Sequence, residues 1–108
     1  MNGSDPTDKA APPDQARRDT IITEIEIINK KGLHARASAR FVQTAERFDA
    51  AVTVTRGNES VGGTSIMGLM MLAAGPGTTI TVEATGKEAA GVIAALEALL
   101  ARRFEEEE

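Results

Sequence analysis

Cysteine, tryptophan and tyrosine are absent from this 108-residue chain, and histidine occurs once. Without thiols there is no disulfide, thiolate nucleophile or Cys-based redox site, a composition that suits a reducing cytoplasm. A single histidine means that any metal site would need carboxylates almost alone. No acidic cluster of ligand spacing lies near it, so neither a metal nor another cofactor is expected. The same shortage leaves no nucleophile-base-orienter triad written locally in the chain. Aromatic residues make up only 3% of the chain against 42% hydrophobic residues overall, so the core must be built from Ile, Val, Leu, Met and Ala. No segment reaches the ~18 apolar residues of a membrane span. The polar opening MNGSDPTDKAAPPDQARRD lacks the apolar run of a secretion signal, so a soluble cytoplasmic protein is expected. Positive charge is in deficit. A net charge of −4 and a pI near 5.0 argue against nucleic acid as the main partner, because a phosphate backbone demands a basic face. Also missing are an internal repeat, a phosphate-cradling Gly-x-x-x-x-Gly-Lys-Ser/Thr loop and an acid-base carboxylate pair. An enzyme with its own substrate is therefore the least favoured reading.

What is present suffices for one domain. Residues 1–19, rich in Ala, Pro, Asp and Arg without apolar periodicity, read as a disordered arm. A domain is expected over 20–104 and an acidic tail over 105–108. In IITEIEII, Ile25 and Ile27 alternate with Glu24 and Glu26, which predicts a strand at about 21–28 with one wet face. A helix is expected over about 35–47, where Ser38, Phe41, Val42, Ala45 and Phe48 recur at helical spacing. Alternation resumes at 51–55; Arg56-Gly57-Asn58 is a turn signal, and a short strand through 59–61 follows. Ser65 then caps a short helix made from the dense run Ile66, Met67, Leu69, Met70, Met71 and Leu72. Gly75-Pro76-Gly77 ends it, and Ile80, Val82 and Ala84 point inward from a strand at 79–84. Ala89, Val92, Ile93, Leu96, Leu99 and Leu100 stripe a last helix, and RRFEEEE closes with charge. The order β-α-β-β-α-β-α with right-handed crossovers gives an α+β open-faced sandwich, a four-stranded, mainly antiparallel sheet with three helices on one face.

The chemistry concentrates in NKKGLHARASARFV, residues 29–42. Lys-Lys-Gly-Leu is a poor helix starter and Gly32 permits a tight turn, so His34 should stand on a loop at the helix entrance. Partial positive charge from the helix dipole, the unpaired N–H groups of the first turn and Arg36 would all favour a phosphate or carboxylate there. The bland reading of His34 is a polar loop residue, and the bland reading of Ile66, Met67 and Met70 is core. The short helix is too small to bury its whole apolar run.

Gly32-Leu33-His34-Ala35-Arg36 after a first strand, Thr64-Ser65-Ile66-Met67-Gly68 further on, and this element order together resemble the HPr family, phosphocarriers of the bacterial phosphotransferase system. The likeness covers about 21–103. It implies that His34 is phosphorylated on Nδ1 by enzyme I, which is charged from phosphoenolpyruvate, and that the phosphoryl group passes to a IIA protein. It further implies that Arg36 assists the phosphate and that Ser65 matches the serine phosphorylated in some lineages by an HPr kinase. The histidine loop with Ala35 and the helix carrying Ile66, Met67 and Met70 would form one docking surface. The expected protein is a monomeric carrier with a transient phosphohistidine, not an enzyme. Ala37 stands where the family often has proline, which leaves the first helical turn an extra N–H. Gln43, Glu46, Thr64 and Gly68 stand where many sugar-system members carry lysines, and the SIMGLMML and ITVEATG wording is similar to the nitrogen-related NPr branch. Two other readings stay open: a regulatory module whose phosphorylation state only switches docking, and a small-ligand-binding α+β domain with His34 as a polar contact.

Overall fold

Residues 20–106 are those described by the computed structural model; the arm expected at 1–19 and the end of the tail at 107–108 lie outside them. Thr20–Glu26 forms β1, Ala35–Ala45 α1, Ala51–Arg56 β2, Glu59–Gly62 β3, Ile66–Met71 α2, Thr79–Thr85 β4 and Ala89–Ala101 α3; a 3-10 turn follows at Arg103–Glu105. The element order is the expected one, with α1 two residues shorter at its end and β1 closing at Glu26. Ile27, past the strand, still exchanges backbone bonds with the segment before β4: its N–H donates to Thr78 O and its carbonyl accepts from Gly77 N, both at 2.8 Å.

The sheet order is β1-β4-β2-β3, with every neighbouring pair antiparallel. Period-2 alternation sets its two faces. Ile80, Val82 and Ala84 of β4 are fully buried, and they lie opposite Ile25, Thr23 and Ile21 of β1. Val54 and Val52 of β2 face Val82 and Ala84 from the other side. Glu24, Glu26 and Glu83 point to the exposed face, so the charge predicted for the wet side is where alternation puts it.

The helices cover the apolar face. Phe41 and Ala37 from α1, Leu69 from α2, and Val92, Leu96 and Leu100 from α3 have at most 1% of their surface exposed. Burying each of the larger ones contributes about 1.5–3 kcal/mol. Helix α2 is held at both ends. Ser65 Oγ accepts from Gly68 N at 3.0 Å, which is the predicted cap, and at the far end Arg56 Nη1 donates to Leu72 O at 3.1 Å, a cation on the negative pole of the helix.

After α3 the chain reverses hand. Arg103, Phe104 and Glu105 all have positive φ, between 56° and 61°. For residues bearing a Cβ each such conformation costs about 1–2 kcal/mol. The reversal drives Phe104 into the core, with 1% of its surface exposed, and turns the following residues back towards the start of α1.

Candidate functional site

The loop before α1 is shaped by two constraints. Gly32 has φ +64°, and a Cβ on it would lie 2.4 Å from Ala74 O and 2.9 Å from Gly75 Cα. Only glycine meets both demands, the left-handed backbone and the close approach. Leu33 N then donates to Ala74 O at 2.9 Å and its side chain is buried, so the residue beside the histidine is fixed on both sides.

His34 is the N-cap residue of α1, with extended backbone and a side chain that makes no capping bond. Its carbonyl accepts from Ser38 N at 2.8 Å, while Ser38 Oγ donates to Leu33 O at 3.2 Å. The ring is therefore free of the helix, and the N–H groups of the first turn have no intrahelical acceptor. Its Nε2 lies 2.5 Å from Oε2 of Glu106. That carboxylate is nearly buried at 9% side-chain exposure, whereas the ring is 27% exposed. Asn29, fully buried, donates from Nδ2 to the same Glu106 Oε2 and to Gly32 O, each at 2.9 Å.

Around this group lies a mixed-charge rim. Lys31, Arg36, Arg40, Glu105 and Glu106 line an open depression of about 420 Å³. Arg40 Nη1 donates to Glu105 Oε1 at 2.8 Å, and Arg102 Nε approaches Glu105 Oε2 at 3.5 Å. Arg36 forms no ion pair with the described residues. Ala35 and Arg36 are exposed on the first turn of α1. Among the described residues no group of three His, Cys, Asp or Glu side chains could hold a metal ion.

The structure brings His34, through Glu106, to the mixed-charge rim to which Arg36 belongs, and packs α1 against α2. Ile66 and Met70 are 41% exposed and Met67 is 72% exposed, beside Met71 at 72%. Leu69 and Leu72 alone carry this stretch into the core. Sequence reasoning did not single out Met71, Asn29, Lys31, Arg40 or the pair Glu105 and Glu106. The excess of apolar residues over what so short a helix can bury is the signal that could have found Met71. Nothing local announces the others.

The chain matches a family model described as the PTS HPr component phosphorylation site over residues 21–102. A relative from Neisseria meningitidis called phosphocarrier protein HPr is 54% identical over 84 residues, covering 78% of this chain and 94% of its own length. One from Shewanella violacea, called phosphocarrier protein NPr, is 39% identical over 83 residues, covering 77% and 91%. Among solved structures, an HPr from Thermoanaerobacter tengcongensis superposes with a TM-score of 0.77 at 41% identity, over 82% of this chain and 99% of that one. No helix among the described residues is long and apolar enough to cross a membrane.

Proposed function

Because this chain belongs to the HPr family of phosphotransferase-system phosphocarriers, we propose that it accepts a phosphoryl group on His34 from phosphorylated enzyme I and passes it to a IIA protein in the cytoplasm. The observation that carries this reading is the His34 ring, partly exposed at the mouth of α1 without capping the helix. A neutral imidazole carries a nucleophilic lone pair on one ring nitrogen, so it can attack phosphorus and later leave with that electron pair. In each step one N–P bond forms as the bond to the previous carrier breaks, and the electron pair returns to that carrier. The protein ends the cycle unchanged, as a carrier and not an enzyme. Unpaired N–H groups of the first turn and the Arg36 guanidinium offset the charge of the phosphate. A site on a loop leaves phosphorus open to in-line attack by the next acceptor.

Docking falls to the exposed faces of α1 and α2. Ala35 adjoins the histidine, and Ile66, Met67 and Met70 form an adaptable apolar surface that Met71 extends. Such a surface suits several partners in turn, among them enzyme I, IIA proteins and, through Ser65, a kinase/phosphatase acting on the carrier. No lattice of copies is needed for this role, and the carrier works as a monomer.

The test is incubation with enzyme I and phosphoenolpyruvate followed by mass spectrometry. Wild type should gain the mass of one phosphoryl group, and His34→Ala, folded normally, should gain none. A mutant that is still phosphorylated would move the site elsewhere. A second reading, a nitrogen-type carrier whose phosphorylation state switches docking without feeding sugar uptake, is favoured by Gln43, Glu46, Thr64 and Gly68 where sugar-system members carry lysines. Supplying phosphorylated carrier to sugar-specific and nitrogen-type IIA proteins side by side separates the two.

A further inference from the structure

We infer that Glu106 is a positioning residue for His34: it holds the proton on Nε2, aims Nδ1 outward as the nucleophile, and faces the positive charge that the ring acquires on phosphorylation. The inference rests on the phosphocarrier reading and names which groups of this chain prepare the ring for it.

Asn29 settles the direction of the hydrogen bonds. Its amide touches two acceptors, Gly32 O and Glu106 Oε2. Only the NH2 end can serve both, since a flipped amide would set its oxygen against a carbonyl and a carboxylate. Glu106 Oε2 therefore accepts from Asn29 and has only acceptor capacity left for the ring. His34 Nε2, 2.5 Å away, must be the donor. In a neutral ring with its proton on Nε2 the lone pair is on Nδ1. Near-burial of Glu106 and full burial of Asn29 give this arrangement a rigid base, while the His34 side chain keeps 27% of its surface exposed.

The chemistry of transfer makes the carboxylate useful beyond orientation. As the Nδ1 lone pair forms the N–P bond, the bond between phosphorus and the donor group on enzyme I breaks, and its electrons leave with that donor. The proton on Nε2 stays where it is. The ring becomes a phosphoimidazolium, with its positive charge next to the nearly buried Glu106 carboxylate. A buried carboxylate behind a reacting imidazole plays this part in hydrolytic triads. Here the acid comes from 72 residues further along the chain.

The experiment compares wild type with Glu106→Ala and Glu106→Gln in the full chain. Ring 15N shifts at a pH where His34 is neutral report the tautomer and need no partner protein. Wild type should show a single tautomer protonated on Nε2, Glu106→Ala a mixture of both, and Glu106→Gln the wild-type tautomer, because its amide oxygen can accept from Asn29 and from the ring. Transfer from enzyme I should fall about tenfold in Glu106→Ala, ~1.4 kcal/mol. For Glu106→Gln it should fall by a smaller factor, since position is kept and charge is lost. A wild-type ring protonated on Nδ1, or an alanine variant with the wild-type tautomer and rate, overturns the inference. If wild type accepts no phosphoryl group at all, the phosphocarrier reading fails, and the 15N result still decides by itself whether Glu106 directs the ring.

Discussion

Arg36 has no ion pair among the described residues, so its guanidinium would not have to break a contact to reach an incoming phosphate. Arg40, one turn further along α1, is already engaged with Glu105. Arg36→Ala should therefore slow phosphoryl transfer from enzyme I by tenfold or more, a loss of about 1.4 kcal/mol. Rapid-quench kinetics measure this, and an unchanged rate would remove Arg36 from the site. Asn29 is a different kind of residue, buried and already bonded to its neighbours. Asn29→Asp puts an acceptor where a donor meets Gly32 O and Glu106 Oε2, and leaving those buried groups unsatisfied should cost about 1–3 kcal/mol in urea denaturation. A variant as stable as wild type would mean that this amide does not bridge the two. His34, Arg36 and Gly32 were legible in the sequence because one short segment holds the turn, the ring and the cation. Asn29 and Glu106 were not. One is only the polar residue that opens the histidine segment, and the other belongs to a glutamate run that reads as a solvated tail, so only the folded chain shows them meeting.

Helix α2 has six residues and a single buried one, Leu69, so its ends matter more than its face. Ser65 supplies the cap, and aspartate caps equally well. Ser65→Asp should therefore melt close to wild type. A charge beside Ile66 and Met67 would nonetheless have to be desolvated on docking and would repel an acidic partner surface. Transfer from enzyme I should drop severalfold, mainly through weaker binding, and titration calorimetry with enzyme I separates that from slower chemistry. Equal transfer by the two proteins would leave Ser65 as a cap and nothing more. Strands were the most legible elements: the alternation in 79–84 fixed which side chains of β4 face the helices. The dense apolar run of α2 was harder. In so short a helix nearly every position is apolar, so no periodicity separates Leu69 in the core from Met67 and Met71 in solvent. The left-handed turn at Arg103–Glu105 carries no glycine or asparagine to signal it. It exists because Phe104 has a hydrophobic site to fill.

The molecule as a whole is closed by that turn. Its three left-handed residues are each disfavoured locally, and the burial of Phe104 offsets the strain. Phe104→Ala should lower stability by about 3–5 kcal/mol, a large share of the roughly 5–15 kcal/mol of an ordinary domain. In denaturant melts this appears as a shifted midpoint. With its anchor gone the turn should relax, Glu106 should leave His34, and the ring should show mixed tautomers like those expected for Glu106→Ala. A Phe104→Ala protein that keeps one tautomer would uncouple the anchor from the site. Sheet order has a consequence for how the protein comes into being. Strand β4 lies between β1 and β2, both made before it, so among the described strands only the β2–β3 hairpin joins neighbours in the chain. Glu106 follows His34 by 72 residues, and a ribosome adding about 5–20 residues per second makes the histidine several seconds before its carboxylate. During that interval the nascent loop has neither a sheet behind it nor an acceptor for its ring. A chain stalled short of residue 106 carries the histidine without the carboxylate inferred to orient it, and its ring should settle into one tautomer only when translation has passed that residue.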